Sequence, residues 1–367
     1  TRRGRAHQRS RGAHQCLEAP VHYSAAVSSH QKRRKNAALA EKIDAPIGCS
    51  LMGLSGIPTD HPRFLGMQGM HGHYASSMAM HDADLIISLG VRFNDRVTGN
   101  REKFAKLAQI IHIDVDGSEL SKTVNSACGL RGDVKLTLQK LIPLVNAEQK
   151  PDWEKAVKAL KETENDYLDI RPGLTPRNAI MTLNKHLGEN TAVATDVGQH
   201  QMWAAQNVNF KSRAASFQRR PRHHGLRPRC GHRCGGRHRR AQRARHGRRQ
   251  LRHVSQRTHH CRNLHVPVVI LLMNNGVLGM VRQWQTLFFN KHYSHDLTAR
   301  PTLWRLRARS ARTARLLIRG ALDKAFEHAF SCDGPYVIDC RIDKDEFVLP
   351  MLPPGGSMDD IIMKVGE

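Results

Sequence analysis

No apolar run in this 367-residue chain approaches the roughly 18–20 residues that a membrane-spanning helix needs. No signal-peptide core opens it either, so neither a membrane partner nor a secretory route is expected. Aromatic residues are few, at 5%, yet a hydrophobic share of 40% still allows a sizeable core, and the length allows two or three domains. Eight cysteines occur without a single Cys-x-x-Cys pair, which argues against a disulfide framework and favours a reducing compartment. The most telling absence is acidic: not one Asp or Glu lies between Asp196 and Asp296.

What is abundant is arginine, and it is abundant in blocks. The chain carries 58 Lys and Arg against 32 Asp and Glu, a formal net charge of +26. Taken evenly, that balance points to nucleic acid or another anionic surface. The excess, however, sits in residues 1–38, 211–265 and 300–320, and what remains is mildly acidic. Residues 219–262 hold almost no Val, Ile, Leu or Phe, so they cannot offset their ordering entropy and are expected to be disordered in isolation. Three readings compete for these blocks. One is an Arg-rich nucleic-acid arm. One is a zinc site built on Cys230, Cys234, Cys261 and nearby His residues, which the surrounding positive charge opposes. The third, favoured because each block edge interrupts a well-patterned element, is out-of-frame text from a G+C-rich gene. Nucleic acid is therefore not an expected partner.

The patterned parts alternate strand and helix signals. Residues 45–52, 84–90 and 110–115 read as strands, with helical text between them, for example 101–108. Such alternation indicates a doubly wound parallel sheet, in which ligands bind outside the carboxyl ends of the strands. Residues 146–172, charged and lightly apolar, read as a helical linker. Residues 173–367 restart the pattern. Thr175 caps a helix that has Pro176 at its first position, 192–195 is a strand running into Asp196-Val197-Gly198, and 266–273 (VPVVILLM) is a fully buried strand ending in Asn274-Asn275-Gly276. A helix over 322–330 and a strand over 336–340 follow. The expected organisation is a basic segment at 1–38, a domain over 39–145, the linker, and a second domain over 173–367. Blocks 211–262 and 301–320 interrupt that second domain without contributing strands or helices.

Long strings in these segments carry a resemblance that covers about two thirds of the chain. LMGLSGIPTDHPRFLGMQGMHGHYASSMAMHDADLIISLGVRFNDRVTG, TDVGQHQMWAAQ, VVILLMNNGVLGMVRQWQTLFF and GPYVIDCRIDKDEFVLPMLPPGGSMDDII resemble the catalytic subunits of the acetolactate (acetohydroxyacid) synthase family of thiamine-diphosphate enzymes. The VRFNDRVTG and GMVRQWQ strings argue against related carboligases and oxidases. The resemblance implies an α/β fold of two doubly wound sheets, a middle FAD-binding domain and a diphosphate-binding domain, the latter interrupted by the Arg-rich block. It implies a decarboxylating condensation of pyruvate with a second 2-keto acid, pyruvate or 2-ketobutyrate, in branched-chain amino-acid biosynthesis. The implied cofactors are thiamine diphosphate, Mg²⁺ and FAD, and the implied assembly is a homodimer or tetramer, with a possible regulatory small subunit, in the bacterial cytoplasm.

Residue by residue, the resemblance places Val197, Gly198, Gln199, His200 and Met280 at thiamine diphosphate. Met280 and Trp284, one helical turn apart, shape the substrate pocket, and Asn275 and the carbonyl of Val277 ligate the metal. The flavin set is Ser50, Leu51, Met52, Gly69, Met70, His71, Gly90, Val91, Arg92, Asp95, Asp114 and Asp133. The sequence departs from the family in two ways. The domain carrying the Glu that activates thiamine has no counterpart in these residues, so no catalytic residue is assigned. The Gly-Asp-Gly-Ser segment ahead of the Asn pair, whose Asp ligates Mg²⁺, is replaced by arginine-rich text. Impaired activity is the expectation.

Overall fold

A computed structural model describes residues 19–24, 30–54, 56–168, 170–188, 191–210, 217–218, 242–247, 261, 263–292, 312–316 and 321–365. The chain divides into two compact units, the first holding residues up to 57, 61–167 and 350–362, the second 58–60, 168–349 and the last residues.

The first unit is a six-stranded parallel sheet. Its strands are β1 (Pro20–Ser24), β2 (Ile47–Cys49), β3 (Phe64–Met67), β4 (Leu85–Leu89), β5 (Gln109–Asp114) and β6 (Cys128–Arg131). Their order is β3-β2-β1-β4-β5-β6, the doubly wound arrangement in which the chain direction across the sheet reverses between β1 and β4. Helix α1 (His30–Lys42) follows β1, α2 (Tyr74–Asp82) precedes β4, and a short α3 (Asp95–Thr98) follows it. Helices α4 (Val134–Leu144) and α5 (Pro151–Asn165) come after β6. Both faces are covered, as a parallel sheet requires. Val21, Tyr23, Ile86, Phe93, Met78 and Trp153 share one core cluster, and Leu39, Ile43, Ile87, Leu89, Ile113 and Leu138 share another.

The second unit is also a six-stranded parallel sheet, with order β11-β12-β10-β9-β7-β8. Its elements are α6 (Pro176–Lys185), β7 (Ala192–Thr195), α7 (Gln199–Asn207), β8 (Phe217–Gln218), β9 (Gln242–Gly247), β10 (Val268–Asn274), α8 (Gly279–Phe288), β11 (Arg312–Leu316), α9 (Leu322–Ser331) and β12 (Tyr336–Arg341). All seven residues of β10 are buried, the state its unbroken apolar text predicts. Thr175 Oγ1 accepts from the Asn178 amide at 3.1 Å, and Pro176 occupies the first turn of α6. None of the described helices is long and apolar enough to cross a membrane.

Several expectations need correction. The sheet of the first unit starts at Pro20, inside the basic segment 1–38 that the sequence sets apart from the first domain. β1 is in fact central, paired with β2 on one side and β4 on the other. Its apolar text had been hidden by the charged residues around it. Within the Arg-rich blocks, β9 pairs with β7 and β10 and β11 pairs with β12, although no strand was expected there. Ladder hydrogen bonds join backbone to backbone, so the flanking strands define the place of β9 whatever its side chains are. Residues 101–108 form a run of turns and not a helix. The presumed linker holds a helix that packs in the first unit: Trp153 is buried in its core, and its indole Nε1 donates to Pro20 O at 3.1 Å. The supposed zinc residues Cys230 and Cys234 lie outside the described residues, whereas Cys261 is buried among Val266, Val268 and Ile270.

Candidate functional site

In the first unit, the residues assigned to flavin gather where strands end. Ser50, Leu51 and Met52 form the turn after β2. The Ser50 amide donates to Ser24 O at 3.0 Å, tying this turn to the end of β1. Gly69, Met70 and His71 follow β3. The Met70 amide donates to Arg96 O at 2.7 Å, and Arg96 Nη1 lies 3.4 Å from Met70 Sδ. Burial and the neighbouring Arg96 cation push His71 down to about 4, so this imidazole is neutral at physiological pH. Gly90 and Val91 follow β4 directly beside the reversal of strand order. Arg92 projects outward, 73% exposed, with Glu119 3.8 Å away. A guanidinium so placed can hold a phosphate bidentately.

The acidic members of that set divide. Asp114, buried at the end of β5, accepts from the Asp116 amide at 2.8 Å. Asp95 is exposed on α3, whose N-terminus is capped by Asn94. Asp133 accepts from the Lys135 and Leu136 amides and thereby caps α4, so it lies apart from the β1–β4 crevice in role. The remaining residues fit a dinucleotide. They lie at or follow the carboxyl ends of β2, β3, β4 and β5 or sit on α3, and a Cβ built on Gly90 meets nothing within 4 Å, which leaves room for close approach along the backbone.

In the second unit, two loops meet. One runs from β7 through Asp196, Val197 and Gly198 into α7. The other runs from β10 through Asn275, Gly276 and Val277 into α8. The strands β7 and β10 are separated by β9, and the gap is bridged by Asn275 Nδ2 donating to Gln199 Oε1 at 3.3 Å. Val277 N in turn donates to Asn275 Oδ1, also at 3.3 Å. His200 is buried on the first turn of α7. Met280 and Trp284 are half-buried on α8, where Trp284 packs edge-on against Phe288 with ring centroids 5.6 Å apart. The structure thus brings Gln199, Asn275 and Val277 together, with Met280 and Trp284 on the helix that the second loop starts.

A magnesium ion does not fit the residues described here. Mg²⁺ requires hard oxygen ligands, usually including carboxylate. The assigned pair offers only an amide oxygen, already accepting from Val277 N, and one carbonyl. Two carboxylates of this sheet are committed: Asp339 Oδ1 accepts from Asn274 at 2.7 Å and its other oxygen lies 3.4 Å from Arg341, while Asp196 accepts from the Val197 amide at 3.0 Å. Among the described residues no group of three or more His, Cys, Asp or Glu is placed to hold a metal. The residues after β9, where the family's ligand falls, begin Arg248-Arg249 and lie outside the described part.

The sequence reading missed a second set. Residues 346–349 belong to no helix or strand, yet their four successive carbonyls each receive a side-chain donor. Gln199 Nε2 donates to Glu346 O at 3.0 Å, Trp203 Nε1 to Phe347 O at 3.2 Å, Gln283 Nε2 to Val348 O at 3.0 Å, and Gln206 Nε2 to Leu349 O at 3.2 Å. Gln199, Trp203 and Gln206 are spaced i, i+4, i+7, which puts them on one stripe of α7. Arg282 Nε donates to Asp345 at 2.6 Å, and Arg171 donates to both oxygens of Glu346 at 3.2 and 3.1 Å. The available signal was the i, i+4, i+7 spacing of Gln199, Trp203 and Gln206 along α7.

Comparisons with known proteins find thiamine pyrophosphate enzymes along the chain. Residues 23–141 match the thiamine pyrophosphate enzyme central domain, and residues 250–340 match the C-terminal TPP-binding domain of the same enzymes. The acetolactate synthase isozyme 2 large subunit of Escherichia coli is 33% identical over 87% of this chain, which spans 59% of that protein. The acetolactate synthase large subunit of Buchnera aphidicola is 31% identical over the whole chain, which spans 67% of it. A probable chloroplastic acetolactate synthase of rice is 31% identical, with 94% and 56% of the two chains covered.

Proposed function

Because the chain belongs to the acetolactate synthase family of thiamine pyrophosphate enzymes, we propose that it derives from a carboligase that joins the two-carbon remainder of decarboxylated pyruvate to a second 2-keto acid, pyruvate or 2-ketobutyrate, for branched-chain amino-acid synthesis. The observation that carries this reading is the 3.3 Å contact between Gln199 and Asn275, which joins the two strand-end loops bearing the family's VGQH and NNG strings. When bound, thiamine diphosphate supplies the electron sink for loss of CO₂. The chain's own residues would do the rest. Val197–His200 and Asn275–Val277 flank the cofactor, and Met280 and Trp284 border the incoming keto acid and keep water from it. In the first unit, Ser50–Met52, Gly69–His71, Gly90–Arg92, Asp95 and Asp114 would hold FAD, with Arg92 on its phosphates; Asp133 serves as a helix cap.

Since the described residues offer no carboxylate set for Mg²⁺, the carboligase activity of this polypeptide is impaired in this reading. The large-subunit names of the relatives support a small-subunit partner, and a homo-oligomer in the cytoplasm completes the proposal. Calorimetric titration of the full chain with FAD, and with thiamine diphosphate in the presence and absence of Mg²⁺, tests it alongside an acetolactate assay from pyruvate. We expect FAD binding, no tightening of thiamine diphosphate by Mg²⁺, and no acetolactate above the protein-free blank. Metal-dependent tightening or acetolactate formation would overturn the impairment. Failure of FAD and thiamine diphosphate alike to bind would overturn the cofactor assignment.

A further inference from the structure

We propose that Gln283 is a positioning residue that sets the polarity of the cofactor loops and fastens residues 346–349 across them; the first part rests on the carboligase reading above. Gln283 is fully buried on α8. Its Oε1 accepts from two donors, Val348 N at 2.9 Å and Gln199 Nε2 at 3.0 Å, while its own Nε2 donates to Val348 O at 3.0 Å. It therefore reads both backbone groups of Val348 as a neighbouring strand would, in a segment that has no strand beside it.

The consequence passes along a directed chain. Because Gln283 Oε1 accepts, Gln199 must turn its Nε2 inward, which leaves its Oε1 to face Asn275. Asn275 must then present its Nδ2 to Gln199, and its Oδ1 is left toward Val277 N. The amide orientation of Asn275 is thus set through Gln199 by the Gln283 side chain. Packing reinforces the arrangement: a Cβ on Gly279 would run into Gln199 Oε1 and press on Asn275 Nδ2, so the glycine leaves the space that the two amides fill. At the rim, Arg282 holds Asp345 and Arg171 holds Glu346. Asp345 immediately precedes, and Glu346 begins, the run of four carbonyls that Gln199, Trp203, Gln283 and Gln206 serve.

The test uses the full chain and two readouts, hydrogen exchange of the 343–350 segment and titration with thiamine diphosphate without metal. Gln283→Met keeps the length and removes every hydrogen bond. It is expected to speed exchange of the Val348 amide by about tenfold, the equivalent of one lost hydrogen bond, and to weaken thiamine diphosphate by a similar factor. Gln283→Glu keeps the acceptor for Val348 N and Gln199 Nε2, and is expected to restore protection of the Val348 amide; a purely space-filling role would not distinguish the two variants. Should Gln283→Met fail to fold, Asp345→Asn decides, since Asp345 is 46% exposed; a rise in exchange confined to 343–349 is expected. Unchanged exchange in these variants overturns the positioning role. Altered exchange in a chain that binds no thiamine diphosphate even in its parent form upholds the fastening and overturns the carboligase reading instead.

Discussion

Glu164, in a stretch the sequence presents as a charged linker, is expected to be among the most stabilising carboxylates of the first unit. It lies on α5 with a side chain 12% exposed. Its Oε1 is 2.7 Å from His73 Nδ1, and its Oε2 accepts from the Ala75 amide at 3.0 Å. It therefore supplies the N-terminal carboxylate that α2 lacks within its own sequence, since His73 makes no side-chain cap. Hydrogen bonds to a charged group are worth about 1.5–3 kcal/mol each when buried. A carboxylate at a helix start adds up to about 1 kcal/mol where it is partly exposed. Allowing for overlap between these terms, Glu164→Ala should cost about 2–4 kcal/mol. The exposed neighbour Glu162 serves as control, with Glu162→Ala expected within about 0.5 kcal/mol of the parent.

The pH dependence follows from the same contacts. Burial alone would raise the Glu164 carboxyl, but the bond and pairing to His73 and the amides of Ala75 and Tyr74 outweigh it and hold the group below its ordinary 4.5. The unfolded chain then takes up the proton first as pH falls. Glu164 contributes in full above the ordinary value, and its contribution is lost as pH drops from there through the lower, folded value. Urea unfolding combined with hydrogen exchange over residues 74–82 measures both effects. If Glu164→Ala cost no more than Glu162→Ala, or if the parent's exchange over α2 were flat across that acid range while Glu164→Ala behaved identically, the reasoning would be refuted.

Two further outcomes are expected. Trp153→Phe removes the indole donor to Pro20 O from a side chain 1% exposed, and should destabilise the first unit by about 1–3 kcal/mol, as read by urea unfolding. No loss would mean that residues 19–24 are not part of the folded sheet. Gly69→Ala and Gly90→Ala both place a Cβ on a left-handed backbone, at φ +102° and +63°, which costs roughly 1–2 kcal/mol. Only at Gly69 would the new atom also strike backbone, at Arg96 O, so Gly69→Ala should be the more damaging by at least about 1 kcal/mol; equal midpoints would sink that distinction.

How much of this was legible depends on what each residue string encodes. VPVVILLM announced a buried parallel strand because such strands are apolar on both faces, and Thr175-Pro176 announced a helix start because capping is a local event. The cofactor loops were readable through the family strings, since Gly198 and Asn275 sit where a strand hands over to a helix. PVHYS was obscured because charge was counted over a window wider than one five-residue strand. QRARHG could not have been found from its own text: it has no apolar alternation, and its pairing with Ala192–Thr195 on one side and Val268–Met273 on the other is dictated by the open edges of β7 and β10. Trp153, Val157, Leu160 and Glu164 do lie on one helical stripe, three of them apolar and packed in the first-unit core, so the docking of α5 was written in the sequence at helical spacing even though its charge suggested a linker.

The fastening of residues 346–349 lies beyond any such spacing rule. Its donors come from α7 and α8 and its acceptors from a segment with no period at all, so the contact exists only in the folded sheet. One asymmetry in the second unit follows from this. The amides of the loop site, Gln199, Asn275 and Gln283, are neutral and satisfy one another without any ion. The part that fails, the metal, is the one whose ligand would have had to come from the arginine-rich text. Neutral networks of this kind are self-sufficient when every member is paired, which explains how the two strand-end loops hold their geometry without an ion.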